Sequence, residues 1–200
     1  MIHLILGGAR SGKSSYAEQL CATLQQQCEQ TCAHSPIYIA TAQAFDDAEM
    51  QVRIEKHQQD RMAKNNDITW QVIECPTELA QLLNKQNKNN ESSNKIYLVD
   101  CLTLWLNNII FNLGETAEQQ QIDAQTEHLI LSLCKYQHTK SQHLVLVANE
   151  VGLGVVPLGK VSRLFVDNAG WLNQRIAKIA DTVTLITAGI PLTLKESNND

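Results

Sequence analysis

The sequence predicts a single α/β domain, residues 1–200, built on a mostly parallel sheet. Apolar runs of strand length alternate along the chain with helical patterns, which is typical of parallel strands joined by crossover helices. The first run, residues 2–6, leads directly into a glycine-rich loop and then a helix. The run at 143–148 is apolar almost throughout, as expected for a central strand buried on both faces. A chain of 200 residues can bury the core that one such domain needs.

The glycine-rich loop at 7–14, GGARSGKS, matches the phosphate-binding pattern G-x-x-x-x-G-K-[ST] at every fixed position. Its glycines let the backbone approach a phosphate, and N–H groups at the helix start point toward it. A glycine turn with a chance lysine is the disfavoured alternative, because pattern and strand–loop–helix context agree. We expect Lys13 to reach the β- and γ-phosphates of a nucleoside triphosphate and Ser14 to hold Mg²⁺. The predicted nucleotide-binding residues of this loop are Gly7, Gly8, Ala9, Arg10, Ser11, Gly12, Lys13 and Ser14.

Composition and charge argue against several other classes of protein. The net charge is −5 and the basic residues are scattered, which disfavours a dedicated nucleic-acid surface. No apolar run is long enough to cross a membrane, and the first residues are typical of a strand rather than a signal peptide. The 6 cysteines include no C-x-x-C pair, and Cys28, Cys32 and His34 match no standard zinc spacing. We therefore expect free thiols and a cytoplasmic protein.

Residues at the ends of predicted strands are weaker candidates for contacts with the nucleotide. Thr41, Ala42 and Gln43 follow a predicted strand at its carboxyl end, where ligands bind in open parallel sheets, although an ordinary loop would look the same. Glu74 could meet a ribose hydroxyl or simply be exposed. Asp100 could position Mg²⁺ or its waters, or only begin a turn.

Residues 46–63 predict a helix whose first turn is acidic, as the helix dipole favours. Arg53, His57 and Arg61 are spaced i, i+4 and i+8, so they share one face of that helix. Two cations beside a histidine could hold a phosphate, but a solvated helix face often looks the same. The spacing alone leaves both interpretations open.

The rest of the chain continues the alternation of helices and strands. Residues 85–94 are rich in Asn, Lys and Ser and predict a flexible surface insert. Residues 102–113 are apolar on most sides, so the helix predicted there must be covered by the core or by another subunit. Residues 196–200 are expected to be frayed. Further helices are predicted near 79–83, 116–137 and 160–180, and the last strands at 182–188 and 192–194 with a turn at 189–191.

Four segments together resemble a known family. They are GGARSGKSSYAE at 7–18, YIATAQAFDDAEMQVRIEKHQQDR at 38–61, LVDCLTLWLNN at 98–108, and most of 147–195, which includes NEVGLGVVP and DNAGWLNQ. These segments are similar to the bifunctional adenosylcobinamide kinase / adenosylcobinamide-phosphate guanylyltransferase of cobalamin synthesis. The resemblance covers nearly the whole chain. The Arg-Ile-x-x-His stretch at 53–57, NEVGLGVVP and DNAGWLNQ are together more specific than the phosphate loop.

The resemblance implies a P-loop NTPase-like (RecA-like) three-layer fold and a homotrimer. It implies that ATP or GTP phosphorylates the aminopropanol hydroxyl of adenosylcobinamide. GMP then passes from GTP to that phosphate through a guanylylated histidine, giving adenosylcobinamide-GDP, with Mg²⁺ as cofactor. The matching histidine is His57, which follows Arg53 by the family's spacing. The implied nucleotide contacts beyond the loop are Thr41, Ala42, Gln43, Gln58, Gln59, Asp60, Arg61, Glu74 and Asp100.

Two residues depart from the family pattern, and they matter if their side chains touch the corrinoid or its phosphate. Leu158 stands where the family often has Glu, and Val166 where it often has Arg, so affinity for the corrinoid could differ. Two alternatives to the bifunctional enzyme stay open, namely a small-metabolite kinase without nucleotidyl transfer and a nucleotide-dependent switch or assembly ATPase. The predicted helix bearing His57 separates the bifunctional enzyme from both alternatives, since a switch, for example, needs no nucleophilic histidine.

Overall fold

The computed structural model describes residues 1–27, 35–43, 51–52, 55, 68–88, 95–114, 117–137, 142–154 and 157–196. These residues form a seven-stranded sheet with helices on both faces. The strands are β1 (Ile2–Gly7), β2 (Ile37–Ala40), β3 (Gln71–Glu74), β4 (Lys95–Asp100), β5 (Gln142–Asn149), β6 (Thr182–Thr187) and β7 (Ile190–Lys195). The helices are α1 (Lys13–Gln27), α2 (Leu79–Lys88), α3 (Leu102–Leu113), α4 (Gln119–Cys134) and α5 (Lys160–Ile179), with a short 3₁₀ helix at Val151–Leu153.

The strand order across the sheet is β3-β2-β4-β5-β1-β6-β7. Every neighbouring pair is parallel except β6 and β7, which form an antiparallel hairpin. Parallel strands require crossover connections, and α1 to α5 supply those between the other parallel strands, whereas most of the connection from β2 to β3 lies outside the described residues. The predicted P-loop NTPase-like α/β fold with a mostly parallel sheet is therefore confirmed.

Strand β5 shows why the core has two halves. Leu144, Leu146 and Ala148 face the layer formed by α2, α3, α4 and α5, whereas Val145 and Val147 face α1. Successive side chains of a strand point to opposite faces, so a strand covered on both sides must be apolar at every position. The apolar run at 143–148 is continuous because β5 is covered by helices on both faces.

Helix α3 is buried by its own subunit. Leu102, Trp105 and Leu106 are at most 1% exposed, and the Trp105 indole N–H donates to Thr77 O at 2.8 Å. Burying each such side chain contributes about 1.5–3 kcal/mol. The sequence left open whether the core or another subunit covers this helix. The core of the same subunit buries most of its apolar side chains, and Phe111 stays exposed.

Two local predictions were wrong. Helix α2 continues through Lys88, so the first part of the predicted insert is helical, which suits the helix-forming Lys and Gln there. The last turn is at Ala188 and Gly189, whose φ angles are 50° and 78°, whereas Pro191 lies within β7. A two-residue hairpin favours positive φ at both positions, and an edge strand tolerates proline. The rest of the insert, 89–94, lies outside the described residues.

None of the described helices combines the length and apolar character that crossing a bilayer requires. Cys21, Cys75, Cys101 and Cys134 are free thiols, and the other two cysteines lie outside the described residues. Of the tail predicted to be frayed, only Glu196 is described, and it is exposed.

His3 and His143 stack on the α1 face near the start of β1. The His3 Nε2–His143 Nδ1 distance is 3.2 Å, and His3 Nδ1 lies 2.9 Å from Thr182 Oγ1. Burial lowers the pKa of each imidazole to about 4, and neighbouring positive charge adds to this effect. Both histidines are therefore neutral in the folded protein near pH 7.

This pair predicts a loss of stability in weak acid. Between pH 6.5 and about 4 the unfolded chain binds protons that the folded chain does not, so the free energy of unfolding falls as pH falls through that window. Urea unfolding at several pH values should show a smaller loss in a His3→Gln/His143→Gln double variant. The exposed His128→Gln should lose as much stability as wild type, and equal losses in all three proteins would contradict the assignment.

Candidate functional site

The phosphate loop connects β1 to α1 at the carboxyl edge of the sheet. A Cβ at Gly7 would lie 2.4 Å from Ile186 O, so only glycine fits against β6. Gly12 has φ 98°, and a Cβ there would lie 3.3 Å from Gly189 Cα. Gly8, Ala9, Arg10 and Gly12 are exposed, so much of the loop backbone is open to a ligand. The first and last glycines of the pattern are thus required by close backbone packing.

Lys13 is buried to 7% exposure at the start of α1. Its ammonium donates to Gly8 O at 2.5 Å, so it folds back onto its own loop. Burial lowers the pKa of Lys13, and the nearby Cys101 and Asp100 partly offset this. A bound phosphate would compete with Gly8 O for the same ammonium. Ser14 is half-buried on the next position of the helix.

Asp100 ends β4, and its carboxylate is oriented by a neighbouring strand. The Tyr38 hydroxyl, on β2, donates to Asp100 Oδ2 at 2.8 Å. Sequence reasoning missed Tyr38, because only the β2–β4 register, which pairs Ala40 with Asp100, brings the two side chains together. The Asp100 carboxylate and the Ser14 hydroxyl are hard oxygen donors, which is the chemistry that Mg²⁺ requires.

Strand register brings several predicted site residues to one edge. Ala40 pairs with Asp100 on one side and with the exposed Glu74 on the other. Gly7 pairs with Asn149 at the end of β5. With strands about 4.8 Å apart, Glu74 and Asp100 are roughly 10 Å apart along this edge. The parallel sheet thus collects at one edge residues that are distant in sequence.

Thr41 is fully buried and uses its polar groups on the protein. Its hydroxyl donates to Cys101 O at 2.7 Å and accepts the Cys101 N–H at 2.8 Å. Asn108 Nδ2, in α3, donates to Thr41 O at 2.8 Å and to Pro76 O at 3.0 Å. Ala42 is half-buried and Gln43 exposed. Asn108 therefore ties the segments after β2 and β3 to α3. In the sequence it is one of three amides within a largely apolar helix, and nothing there singles it out.

A second buried amide orders the segment after β5. Asn173, in α5 and 5% exposed, donates to Asn149 O at 3.1 Å and to Glu150 Oε2 at 3.3 Å. The Glu150 N–H donates to Gly7 O at 3.0 Å. The segment DNAGWLNQ thereby holds Glu150, whose backbone N–H bonds the first glycine of the phosphate loop. From the sequence, Asn173 is one of several polar residues in an amphipathic helix pattern, which could contact a ligand or only form a wet face.

Of the helix predicted at 46–63, the structure describes three residues. Gln51, Val52 and Glu55 are helical, and Gln51 Nε2 donates to Glu55 Oε1 at 3.0 Å, as neighbours at i and i+4 should. The predicted helix is confirmed for those three positions. The predicted site residues outside the described residues are Arg53, His57, Gln58, Gln59, Asp60 and Arg61.

Known proteins match this chain along nearly its whole length. A family model described as cobinamide kinase / cobinamide phosphate guanyltransferase matches residues 3–194. The bifunctional adenosylcobalamin biosynthesis protein CobP of Pseudomonas aeruginosa is 44% identical over 195 residues, 98% of each chain. The bifunctional adenosylcobalamin biosynthesis protein CobU of Escherichia coli is 36% identical over 204 residues, and its Salmonella typhimurium counterpart is 36% identical over 203. Both alignments span 98% of this chain and 100% of the relative.

We predict that Asn108→Ala destabilises the protein and disturbs the site edge. A buried carbonyl (Thr41) and a half-buried one (Pro76) lose their donor, which should lower the free energy of unfolding by about 2–3 kcal/mol. Asn107→Ala, on the exposed side of the same helix, is the matched control and should change it by less than about 0.5 kcal/mol. Urea unfolding measures both, and equal effects would refute the bridging role of Asn108.

Proposed function

Because this chain belongs to the cobinamide kinase / cobinamide phosphate guanyltransferase family, we propose that it carries out both reactions in sequence. It phosphorylates adenosylcobinamide with ATP or GTP and then transfers GMP from GTP to the new phosphate. The product is adenosylcobinamide-GDP, an intermediate in cobalamin biosynthesis. The match over residues 3–194 carries the proposal, and the complete phosphate loop at the sheet edge supports it.

The kinase step needs positioning and charge neutralisation more than covalent chemistry. The exposed loop backbone would wrap the β- and γ-phosphates, with N–H groups at the start of α1 as donors. Lys13 would exchange Gly8 O for a phosphate oxygen and neutralise charge that develops during transfer. Asp100 and Glu150, both at this edge, are our candidates for accepting the proton of the corrinoid hydroxyl.

We assign the binding of Mg²⁺ to Ser14 and Asp100. Their oxygens suit this ion, and Tyr38 fixes one Asp100 oxygen at 2.8 Å. When bound, the ion would neutralise the triphosphate's charge and orient it. Ala42 and Gln43 follow β2, and Glu74 ends β3, at the same edge, where we propose that these three contact the nucleotide. The fully buried Thr41 bonds Cys101 and Asn108 instead.

The guanylyl step uses His57 as nucleophile in this proposal. A neutral imidazole nitrogen attacks the α-phosphorus of GTP, a P–N bond forms, and the bond to the leaving pyrophosphate breaks. A phosphate oxygen of adenosylcobinamide phosphate then attacks the same phosphorus, and the P–N bond breaks. Arg53 and Arg61, at helical spacing from His57, would hold the nucleotide's phosphates. Gln58, Gln59 and Asp60 complete the proposed contacts on that helix.

The homotrimer and the cytoplasmic location are also part of this proposal. On β7, Ile190, Leu192 and Leu194 are alternate residues and each is more than half exposed, which supports contact with another subunit. The free thiols of the described cysteines support a reducing compartment.

Covalent labelling tests the guanylyl step. We expect protein incubated with Mg²⁺ and α-labelled GTP to retain label after denaturation and to lose it in acid, as a phosphoramidate does. His57→Ala should abolish the label, whereas the exposed His128→Ala should label like wild type. No label on wild type under any condition would overturn the guanylyltransferase half and favour a kinase alone.

Lys13→Ala tests the kinase step. Removing the ammonium should slow phosphorylation of adenosylcobinamide at least about a hundred-fold, because the developing charge loses its main cation. Product formation is followed with γ-labelled ATP and with γ-labelled GTP. Lys160→Ala, an exposed cation at the start of α5, is the control. Near wild-type turnover in Lys13→Ala would contradict the site assignment.

A further inference from the structure

The tip of the β6–β7 hairpin contacts the phosphate loop. The Gly189 N–H donates to Ser11 O at 2.9 Å. A Cβ built on Gly12 would lie 3.3 Å from Gly189 Cα and 3.9 Å from Gly189 N. On the β6 side, Ile186 O lies 2.4 Å from where a Gly7 Cβ would stand. The hairpin therefore packs against both ends of the loop, although it lies about 180 residues away in sequence.

We infer that the Ala188–Gly189 turn is a positioning element that holds the phosphate loop in its triphosphate-binding shape. The inference rests on the proposed function, since it assumes that the loop binds a nucleoside triphosphate. It gives a role to the β6–β7 hairpin, which lies outside the phosphate-loop pattern at 7–14.

The geometry of the peptide between Ser11 and Gly12 explains how the contact acts. In a trans peptide the C=O and the next N–H point in opposite directions. With Ser11 O held by Gly189, the Gly12 N–H is directed away from the hairpin. Gly12 immediately precedes α1, where the N–H groups of a phosphate loop meet the phosphate. One hydrogen bond on the hairpin side thereby fixes the orientation of a donor on the ligand side.

The hairpin is placed by its backbone more than by burial of its side chains. All six residues of β7 are exposed, so β7 contributes little to the core. Antiparallel pairing with β6 sets its course, and Thr187 pairs with Ile190 next to the turn. At the far end, Lys195 Nζ donates to Ala177 O and Lys178 O at 3.1 Å and to Ala180 O at 2.5 Å. Strand β7 is thus anchored at one end to the segment that closes α5 and touches the loop at the other.

The conformation of Gly189 offers a sharp test. Its φ is 78°, and no described heavy atom lies within 4 Å of a Cβ built there. A side chain at this position therefore meets open space, and a substitution acts through backbone preference alone. Asn adopts positive φ readily, whereas the β-branched Val does not. Gly189→Asn and Gly189→Val are a matched pair that keeps the N–H and changes only the preference for the turn.

Gly114 provides a second control. Its φ is 68°, no described heavy atom lies within 4 Å of a Cβ built there, and it caps α3 at the end remote from the site edge. Gly114→Val should lower the melting temperature through the same kind of backbone strain. Because it does not contact the phosphate loop, it should leave nucleotide affinity unchanged.

The experiment measures binding of a fluorescent GTP analogue with Mg²⁺, together with the melting temperature of each variant. We expect Gly189→Val to weaken binding about five-fold or more and Gly189→Asn to stay within about two-fold of wild type. Gly189→Ala should weaken binding by an intermediate factor, and it serves if the valine variant does not fold. Gly114→Val should bind like wild type despite a lower melting temperature.

Equal affinities for Gly189→Val, Gly189→Ala and Gly189→Asn would overturn the inference and leave the proposed function intact. Weakened binding in Gly114→Val to the same extent as in Gly189→Val would also overturn it, because the effect would then be one of global stability. If wild type itself failed to bind the analogue, the proposed function would be overturned first.

Discussion

Parallel pairing of β1 with both β5 and β6 is the constraint on which the rest of the site depends. Parallel strands end at the same edge of a sheet, so this pairing places Gly7, Asn149 and Ile186 side by side. Gly7 O then accepts the Glu150 N–H, and β6 leaves no room for a side chain at Gly7. The phosphate loop starts from a strand buried on both faces and therefore has a rigid base.

Buried polar side chains extend this order from the sheet to the loops around it. Asn108 joins the segments after β2 and β3, and Asn173 holds the segment after β5. Tyr38 orients Asp100 from the neighbouring strand. A buried amide or hydroxyl lowers stability unless its bonds are made, so each of these groups favours one arrangement of the backbone it binds. The site edge is thus specified by a few hydrogen bonds from side chains that would not themselves react.

The two proposed reactions differ in which phosphorus of the triphosphate is attacked. The phosphate loop provides a cation and backbone donors suited to the β- and γ-phosphates. Transfer of GMP needs a nucleophile at the α-phosphorus, and the proposal gives that role to His57. In this proposal one edge of the sheet serves both reactions, with His57 acting at the part of the nucleotide that the loop leaves open. Positioning therefore decides the chemistry, since the triphosphate is common to both steps.

The sequence by itself determined the phosphate loop, the α/β class and the family, because each depends on residues that are close in sequence or on a pattern repeated along the chain. The apolar run of β5 and the polar ends of β2 and β4 were also readable in this way. The sequence predicted the last turn at 189–191, which is too late in the chain. The stretch from Gly189 to Pro191 is compatible with a turn, and only the pairing of β6 with β7 puts the turn at Ala188 and Gly189. Only the tertiary structure decided that Tyr38 meets Asp100, that Asn108 bridges two loops and that Gly189 contacts Ser11. These contacts depend on strand order and register, which distant parts of the chain set together through packing.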